Sequence, residues 1–512
     1  MASCKALLAL SIHALLALCA CVQASIYPVE SKLWIPPFQH AEKMFATDRG
    51  PVLSRAGNST ITLTLQGRNV TRDMDAWRLV VFVYHVDSLE RFGAIEDKVE
   101  LLACAPSSSA AGNDSAALAA NGMSHVKRFV FPVVNETVSA SVEYKVEASG
   151  WVDTQVFVCS DANGAAEVLP FTGSLEIRNP FGLLPAVLYG MLPFSGLLSM
   201  GYVVLDVFFA VLLCKHRQQT LQLHYGIQIV LLMGTAASTA WFYAFFRMNQ
   251  TGEPVCCPYP TTFLIAVILD TLMRTFARVL LIVVCLGYGI VREQLRRGEV
   301  LLITVLSLAY FASGVADEIT RGTSSGAEFR EKPTFWSFIQ LLCNLLFIMW
   351  IHYALEKILK QLDEMKQSAK LAMYKSLAYS LAGFVVFFTL LTMVAVCGRL
   401  GVFDWDVEWE WMTLVAWPVL NFIVSTAMCM IWRPTQNSSQ FAFSMQLPMN
   451  EKDAGKGMSS MVSAFTNDSD DEDFAQGDAH LNSDDEIEIE MSPPKDAKKK
   501  PVAHDSDDDE GL

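Results

Sequence analysis

Seven long apolar segments follow one another in the second half of the chain, and this leaves few structural options. About 20 apolar residues cross the roughly 30 Å hydrocarbon layer as a helix, which bonds its own backbone where no water can. The segments run from Leu184 to Cys214, Tyr225 to Phe246, Phe263 to Ile290, Val300 to Ala316, Phe335 to Leu355, Leu377 to Cys397 and Met412 to Trp432. An odd number of crossings puts the two chain ends on opposite sides. With the amino-terminal part in the lumen, the cytosolic loops hold Lys215, Arg217, Arg292, Arg296, Arg297, Lys357, Lys360, Lys366, Lys370, Lys375 and Arg433. The lumenal loops hold only Arg247, Arg321, Arg330, Lys332 and Arg399, which agrees with the positive-inside tendency. Past Leu355 the stripe Leu355, Leu359, Leu362 and Met365 continues. This reads as a helical extension rather than a segment lying on anionic lipid, because Glu356, Asp363 and Glu364 interrupt its basic side.

The preceding residues belong to a different physical class. Residues 1–24 read as a secretory signal, with Lys5, an apolar run from Ala6 to Cys21, and Val22-Gln23-Ala24 before a mature start near Ser25. Residues 25–180 show short strand-like runs at Thr60 to Leu65, Trp77 to Tyr84, Phe129 to Val133, Val138 to Val146 and Val152 to Val158, read as period-two alternation. Such strands, separated by turns, imply a β-sandwich. The Ala/Ser/Gly/Asn stretch between Pro106 and Gly122 reads as a surface loop. Sequons at Asn58, Asn69, Asn113 and Asn135, and a lumenal one at Asn249, mark glycosylation candidates. Cys104 and Cys159 are the only cysteines of residues 25–180, and an oxidising lumen is expected to join them.

The formal net charge of −15 is unevenly placed. Residues 451–512 hold 19 acidic and 6 basic residues, net −13, leaving −2 for the first 450. A polyanionic chain lacks the basic surface that displaces counterions from phosphates, so no nucleic-acid partner is expected. Residues 434–512 are too polar to bury a core and read as a disordered cytosolic tail. Within it Ser469, Ser483 and Ser506 each precede three acidic residues, the preference of acidophilic kinases. Phosphorylation there adds about −1.5 to −2 per site, a patch suited to basic surfaces on coat or sorting adaptors.

The sequence contains no phosphate loop, metal-spaced Cys or His cluster, His-Glu-x-x-His or nucleophile elbow, so no enzyme is read from it. Ionisable groups within the spans are more informative, because a charge there is costly. Asp270, Arg274 and Arg278 of the third span are spaced by four and share one helical face, acid first. That face must point into the bundle, where Asp206 of the first span is expected to meet it, with Asn344 and Asn421 as polar neighbours. Two roles stay open for the cluster. Asp270 and Arg274 neutralise one another to fix packing, or the group lines a cavity that holds a lipid head group or admits ions. No cofactor is expected beyond a phospholipid bound in the bundle. Cys256, Cys257 and Cys397 offer a further lumenal disulfide whose pairing the sequence does not choose.

Four motifs in order carry a resemblance. They are Asn179-Pro-Phe-Gly-Leu-Leu-Pro-Ala-Val-Leu-Tyr-Gly190 with Pro193-Phe-Ser-Gly196 and Tyr202; Arg274-Thr-Phe-Ala-Arg278; Leu286-Gly-Tyr-Gly-Ile-Val-Arg292; and Trp432-Arg-Pro-Thr-Gln-Asn437 with Phe441-Ala-Phe-Ser444. The chain resembles the Golgi-dynamics-domain seven-transmembrane family, also called lung seven-transmembrane receptors, and most of all its transmembrane protein 87 branch. The resemblance implies a lumenal β-sandwich over a seven-helix bundle with a lipid-open cavity, in Golgi membranes cycling with endosomes. It implies endosome-to-Golgi retrieval or chaperoning of membrane-protein cargo, or a pH-responsive cation conductance. The Ala/Ser-rich insert and the acidic tail depart from the family core. A ligand-activated receptor is a third reading, but Tyr288-Gly-Ile-Val-Arg292 stands where Asp-Arg-Tyr would be, and span seven lacks Asn-Pro-x-x-Tyr. The fold class expected is a multi-pass α-helical membrane protein: signal 1–24, lumenal sandwich 25–180, seven-transmembrane domain 181–433 and tail 434–512.

Overall fold

The computed structural model describes residues 27–31, 36–47, 58–68, 77–86, 99, 103–104, 125–134, 137–160, 169–252, 260–292, 294–323, 335–399 and 407–435. The expected signal segment, the Pro106 to Gly122 stretch and the acidic tail past Thr435 lie outside them.

Eight strands form two antiparallel four-stranded sheets: β1 (Tyr27–Glu30), β2 (Phe38–Met44), β3 (Thr60–Arg68), β4 (Trp77–His85), β5 (Val126–Pro132), β6 (Thr137–Lys145), β7 (Gly150–Ser160) and β8 (Thr172–Arg178). One sheet runs β1-β8-β3-β6 and the other β2-β7-β4-β5. Where one face alone is buried, alternation sets the register. Along β6 every second residue from Val138 to Tyr144 is buried, opposite Ile61, Leu63 and Leu65 of β3 in the shared core. β4 departs from the expected alternation because it is buried on both faces. Leu79, Val81 and Val83 enter the inter-sheet core, while Val80, Phe82 and Tyr84 pack with Val99, Ala103 and Phe157 in a second layer outside the sheet. A disulfide between Cys104 and Cys159, with Cα atoms 5.4 Å apart, ties that layer to β7. β1, β2 and β8 were not expected from the sequence. β8 turns only Leu175 and Ile177 fully inward, too little apolar pattern to read.

Seven helices follow: α1 (Met191–Lys215), α2 (Gln222–Thr251), α3 (Thr261–Cys285), α4 (Arg297–Thr323), α5 (Phe335–Glu364), α6 (Ser368–Arg399) and α7 (Met412–Ile431). They close a ring in chain order, with α3 also against α5 and α2 against α7. Tyr202, Phe209, Tyr310, Phe347 and Tyr374 fill the interior. A Cβ on Gly234 of α2 would lie 2.6 Å from the Tyr202 ring, so glycine is what lets α1 and α2 approach there. Large apolar side chains such as Leu197, Met200 and Val204 of α1 and Leu301, Val305 and Leu308 of α4 point outward. An apolar exterior of that extent belongs in lipid. Six of the seven helices are long and apolar enough to cross a bilayer. The seventh, α3, carries three charges in its middle turns.

Several boundaries correct the expectation. α4 does not stop at Ala316 but continues through Asp317 and Glu318 to Thr323. α3 stops at Cys285, five residues before Ile290, because Gly287 and Gly289 take positive φ and turn the chain. α5 runs unbroken past the membrane-length stretch to Glu364, as its apolar stripe suggested.

The sandwich is fixed to the bundle through Asn179 and its neighbours. The Asn179 side chain is 2% exposed and accepts from Phe45 N at 3.2 Å while donating to Leu184 O at 3.1 Å. Its backbone exchanges bonds with Gly182. Phe45, Phe181 and Tyr189 form a ring cluster at the same place. Lys43 of β2 pairs with Glu410 just before α7 and lies 5.3 Å from the Trp151 ring. The motif that opens the membrane region is therefore a joint. Replacing Asn179 by Ala strands a buried N–H and a buried C=O, at about 1–3 kcal/mol for each group left unpaired. Asn179→Ala is expected to lower the melting temperature of the purified protein clearly, read by a thermal shift of its size-exclusion peak, whereas Thr64→Ala on an exposed strand face leaves it nearly unchanged.

Candidate functional site in the helix bundle

The spacing of four on α3 delivers the geometry it implies. Arg274 Nη2 donates to the Asp270 carboxylate one turn earlier and, at 3.3 Å, to Glu318 Oε1 of α4. Arg278 Nε donates to Asn344 Oδ1 of α5 at 3.0 Å, and its Nη1 donates to Arg274 O at 3.0 Å. The Arg278 guanidinium lies 4.4 Å from the centroid of the Tyr310 ring of α4. Two acids and two bases from α3 and α4 thus meet, with the Asn344 amide of α5 beside them. Their formal charges cancel, which the low-dielectric interior demands.

The pairing is uneven. Arg274 takes both carboxylates, whereas Arg278 has no carboxylate within ion-pair distance among the described residues. Its charge rests on an amide, a carbonyl and an aromatic face. The side chains of Asp270, Arg274 and Glu318 keep 15%, 17% and 23% of their surface, so the cluster is partly buried rather than sealed.

Sequence reasoning placed some of these residues and missed others. Asn344 sits where it was expected. Glu318 was missed because an Asp-Glu pair after an apolar run looks like the water boundary, although the helix continues through it. Asp206 bonds across to a neighbouring helix. It is 1% exposed in α1, and its carboxylate accepts from Gln228 of α2. Asn421 of α7 is not among the partners of Arg278. Asp317 also links helices, accepting from Ser337 of α5.

Of the modification candidates, Asn58 is exposed at the start of β3. Asn249 is engaged in the joint, where its Nδ2 donates to Phe181 O at 3.2 Å and its Oδ1 accepts from Leu184 N at 3.2 Å. Asn69, Asn113, Asn135, Ser469, Ser483 and Ser506 lie outside the described residues, as do Cys256 and Cys257. Cys397 carries a free thiol, and Cys285, Cys343 and Cys429 are buried free thiols that serve as packing. Among the described residues no three His, Cys, Asp or Glu are grouped to hold a metal.

A second polar network lies in the sandwich, where Tyr84 Oη, Gln155 Nε2 and Gln39 Nε2 all donate to Asp153 Oδ2 at 2.7 to 2.8 Å. These bonds link β2, β4 and β7 beneath the outer apolar layer. At the sandwich edge burial, with a contribution from Glu147, pushes the Tyr144 phenol up to about 12, so it stays neutral.

A ring of seven helices with a charged third member and a β-sandwich on one end defines a seven-span membrane protein. Residues 190–439, just under half of the chain, match the family described as "GOST, seven transmembrane domain". Proteins similar to it include several named transmembrane protein 87. Transmembrane protein 87A of Mus musculus is 24% identical over 291 residues, covering 55% of this chain and 49% of that protein. The Homo sapiens protein of the same name is 24% identical over 294 residues, covering 56% and 50%. Membrane protein PTM1 of Saccharomyces cerevisiae is 26% identical over 364 residues, covering 69% and 66%. The chain spans about half the length of the transmembrane protein 87A relatives it matches.

Removing one member of a buried ion pair costs about 3–5 kcal/mol, because the partner is left uncompensated. Arg274→Gln leaves Asp270 and Glu318 facing one another and is expected to reduce stability by that order, with partial recovery in the Asp270→Asn/Arg274→Gln double variant. Arg278→Gln is expected to cost only about 1–2 kcal/mol, since glutamine still donates to Asn344. Thermal unfolding of the four proteins in one detergent tests the order, and an Arg278→Gln loss as large as that of Arg274→Gln contradicts the uneven pairing.

Proposed function

We propose that this chain is a sorting protein of Golgi and endosomal membranes that carries membrane-protein cargo, with the sandwich on the lumenal side and the acidic tail engaging coat or sorting adaptors in the cytosol. The observation that carries the reading is the tail. Ser469, Ser483 and Ser506 each precede three acids on a segment of net −13, attached to a chain otherwise close to neutral. A solvating tail needs no such repeat, whereas an adaptor-binding one gains a dense phosphorylatable patch. The joint at Asn179 adds support, because cargo held by the sandwich is then held rigidly to the membrane bundle. Likeness to the transmembrane protein 87 relatives is compatible with this reading.

A second reading, handling of ions or lipid head groups within the bundle, is favoured by one observation. Arg278 keeps its charge without a carboxylate partner among the described residues, beside a cluster that retains surface. That arrangement costs stability and offers an anion or a pore lining in return.

Deleting residues 451–512 separates the two. In the sorting reading the truncated protein folds, leaves the endoplasmic reticulum and redistributes away from Golgi markers, as fluorescence microscopy and size-exclusion profiles show. Loss of the protein also missorts Golgi cargo. If truncation leaves location and adaptor capture unchanged, while liposomes holding the pure protein carry a pH-dependent current that Arg278→Gln abolishes, the second reading stands in its place.

A further inference from the structure

The end of the bundle remote from the sandwich contains a cleft that neither the ion-pair cluster nor the joint uses. Its roof is the turn after α3, held by Arg292 N to Gly287 O at 3.0 Å and Gly289 N to Arg292 O at 2.9 Å. Gly287 has φ of 82°, and a Cβ there would lie 2.5 Å from Ile358 Cδ1, so the turn presses directly on α5. Lys370 of α6 donates to Ile290 O at 3.1 Å and holds the turn from the other side. Between this turn, the first turn of α4 and the later turns of α5 lies a small cleft of about 70 Å³, open to the outside. Arg292, Glu299, Trp350, Tyr353, Lys357 and Gln361 line it over an apolar floor.

The charge balance in the cleft is cationic. Glu299 is its one acid, and it is already engaged: Oε2 accepts from Arg296 N at 3.0 Å at the start of α4, and Oε1 lies 3.7 Å from Arg292 Nη1. Lys357 is exposed and has no ion-pair partner among the described residues, unlike Lys360, which pairs with Glu356 at 2.7 Å. Arg296 and Arg297 stand exposed at the rim. Tyr353 is 65% exposed and continues the outward apolar face of α5 formed by Leu345, Leu346 and Met349. Cations beside an amphipathic aromatic pair, at the end of a membrane-length helix, match the boundary between hydrocarbon and head groups.

We propose that this cleft holds the head group of an anionic phospholipid with more than one phosphate, of the phosphoinositide class. Its phosphate oxygens sit between Lys357 and Arg292, and its acyl chains leave across Tyr353 onto α5. An arginine fork suits phosphate oxygens, and lysine supplies a mobile point charge beside it. A head group bearing its own ammonium is disfavoured, because Glu299 is occupied by Arg292 and the α4 backbone. The lipid comes from the leaflet away from the sandwich, the cytosolic one in the orientation given above. The site does not depend on the sorting reading. The acidic tail, net −13 over residues 451–512, is the competing occupant, but the apolar floor and outward aromatics continue a lipid-facing surface.

The test is native mass spectrometry of the full-length purified protein titrated with short-chain phosphatidylinositol 4-phosphate, phosphatidylserine, phosphatidylcholine and inorganic phosphate. The phosphoinositide is expected to bind ahead of the other three. Lys357→Gln and Arg292→Gln are each expected to weaken it about fivefold, the worth of one cation near an anionic surface. Lys375→Gln, an exposed lysine of α6 outside the cleft, is expected to leave it unchanged. Equal binding of phosphatidylcholine, equal loss in Lys375→Gln, or inorganic phosphate binding as tightly as the lipid each overturns the proposal. So does lipid binding that appears only after residues 451–512 are deleted, which makes the tail the occupant.

Discussion

Everything in the bundle answers to the charge on α3. A helix with Asp270, Arg274 and Arg278 in its middle turns cannot face hydrocarbon, since one unpaired charge there costs several kcal/mol. It must be enclosed, and it must find partners of the right sign at helical spacing. Asp270 supplies one from the same helix, Glu318 supplies another from α4, and Asn344 with Tyr310 takes what is left. The other six helices are apolar enough to enter a bilayer independently. Of these, α4 and α5, which pack against α3, carry the groups that partner its charges.

The second constraint is the joint. A soluble sandwich tethered by a plain linker would swing, but Asn179 and Asn249 spend their carboxamides on backbone groups of the connecting segment. Three aromatic rings and the Lys43–Glu410 pair extend the contact toward α7. Two asparagines with ordinary surface-like sequence contexts therefore tie the sandwich to the helix bundle.

Charge divides the molecule functionally. The bundle cluster is balanced, the far end carries surplus cations around the α3 turn, and the acidic residues collect beyond residue 450.

The sequence by itself determined what one-dimensional pattern can carry. Seven apolar lengths fix seven spans, spacing of four fixes one face for Asp270, Arg274 and Arg278, and alternation along Val138 to Val146 fixes a half-buried strand. The pair Cys104 and Cys159 was legible because only two cysteines occur in that segment. What it left open depended on neighbours distant in the chain. β4 has no alternation because a second layer covers its outer face, and β1, β2 and β8 are strands because other strands pair with them. Asp206 was expected at the cluster and its carboxylate accepts from Gln228, while Glu318 lies past the expected end of the fourth span and accepts from Arg274. The bonds of Asn249 to the connecting segment were not legible in its sequon. Tertiary structure decided all of these for one reason: a polar or charged group in a dry interior is placed by the partner it finds, and the partner lies on another helix or strand.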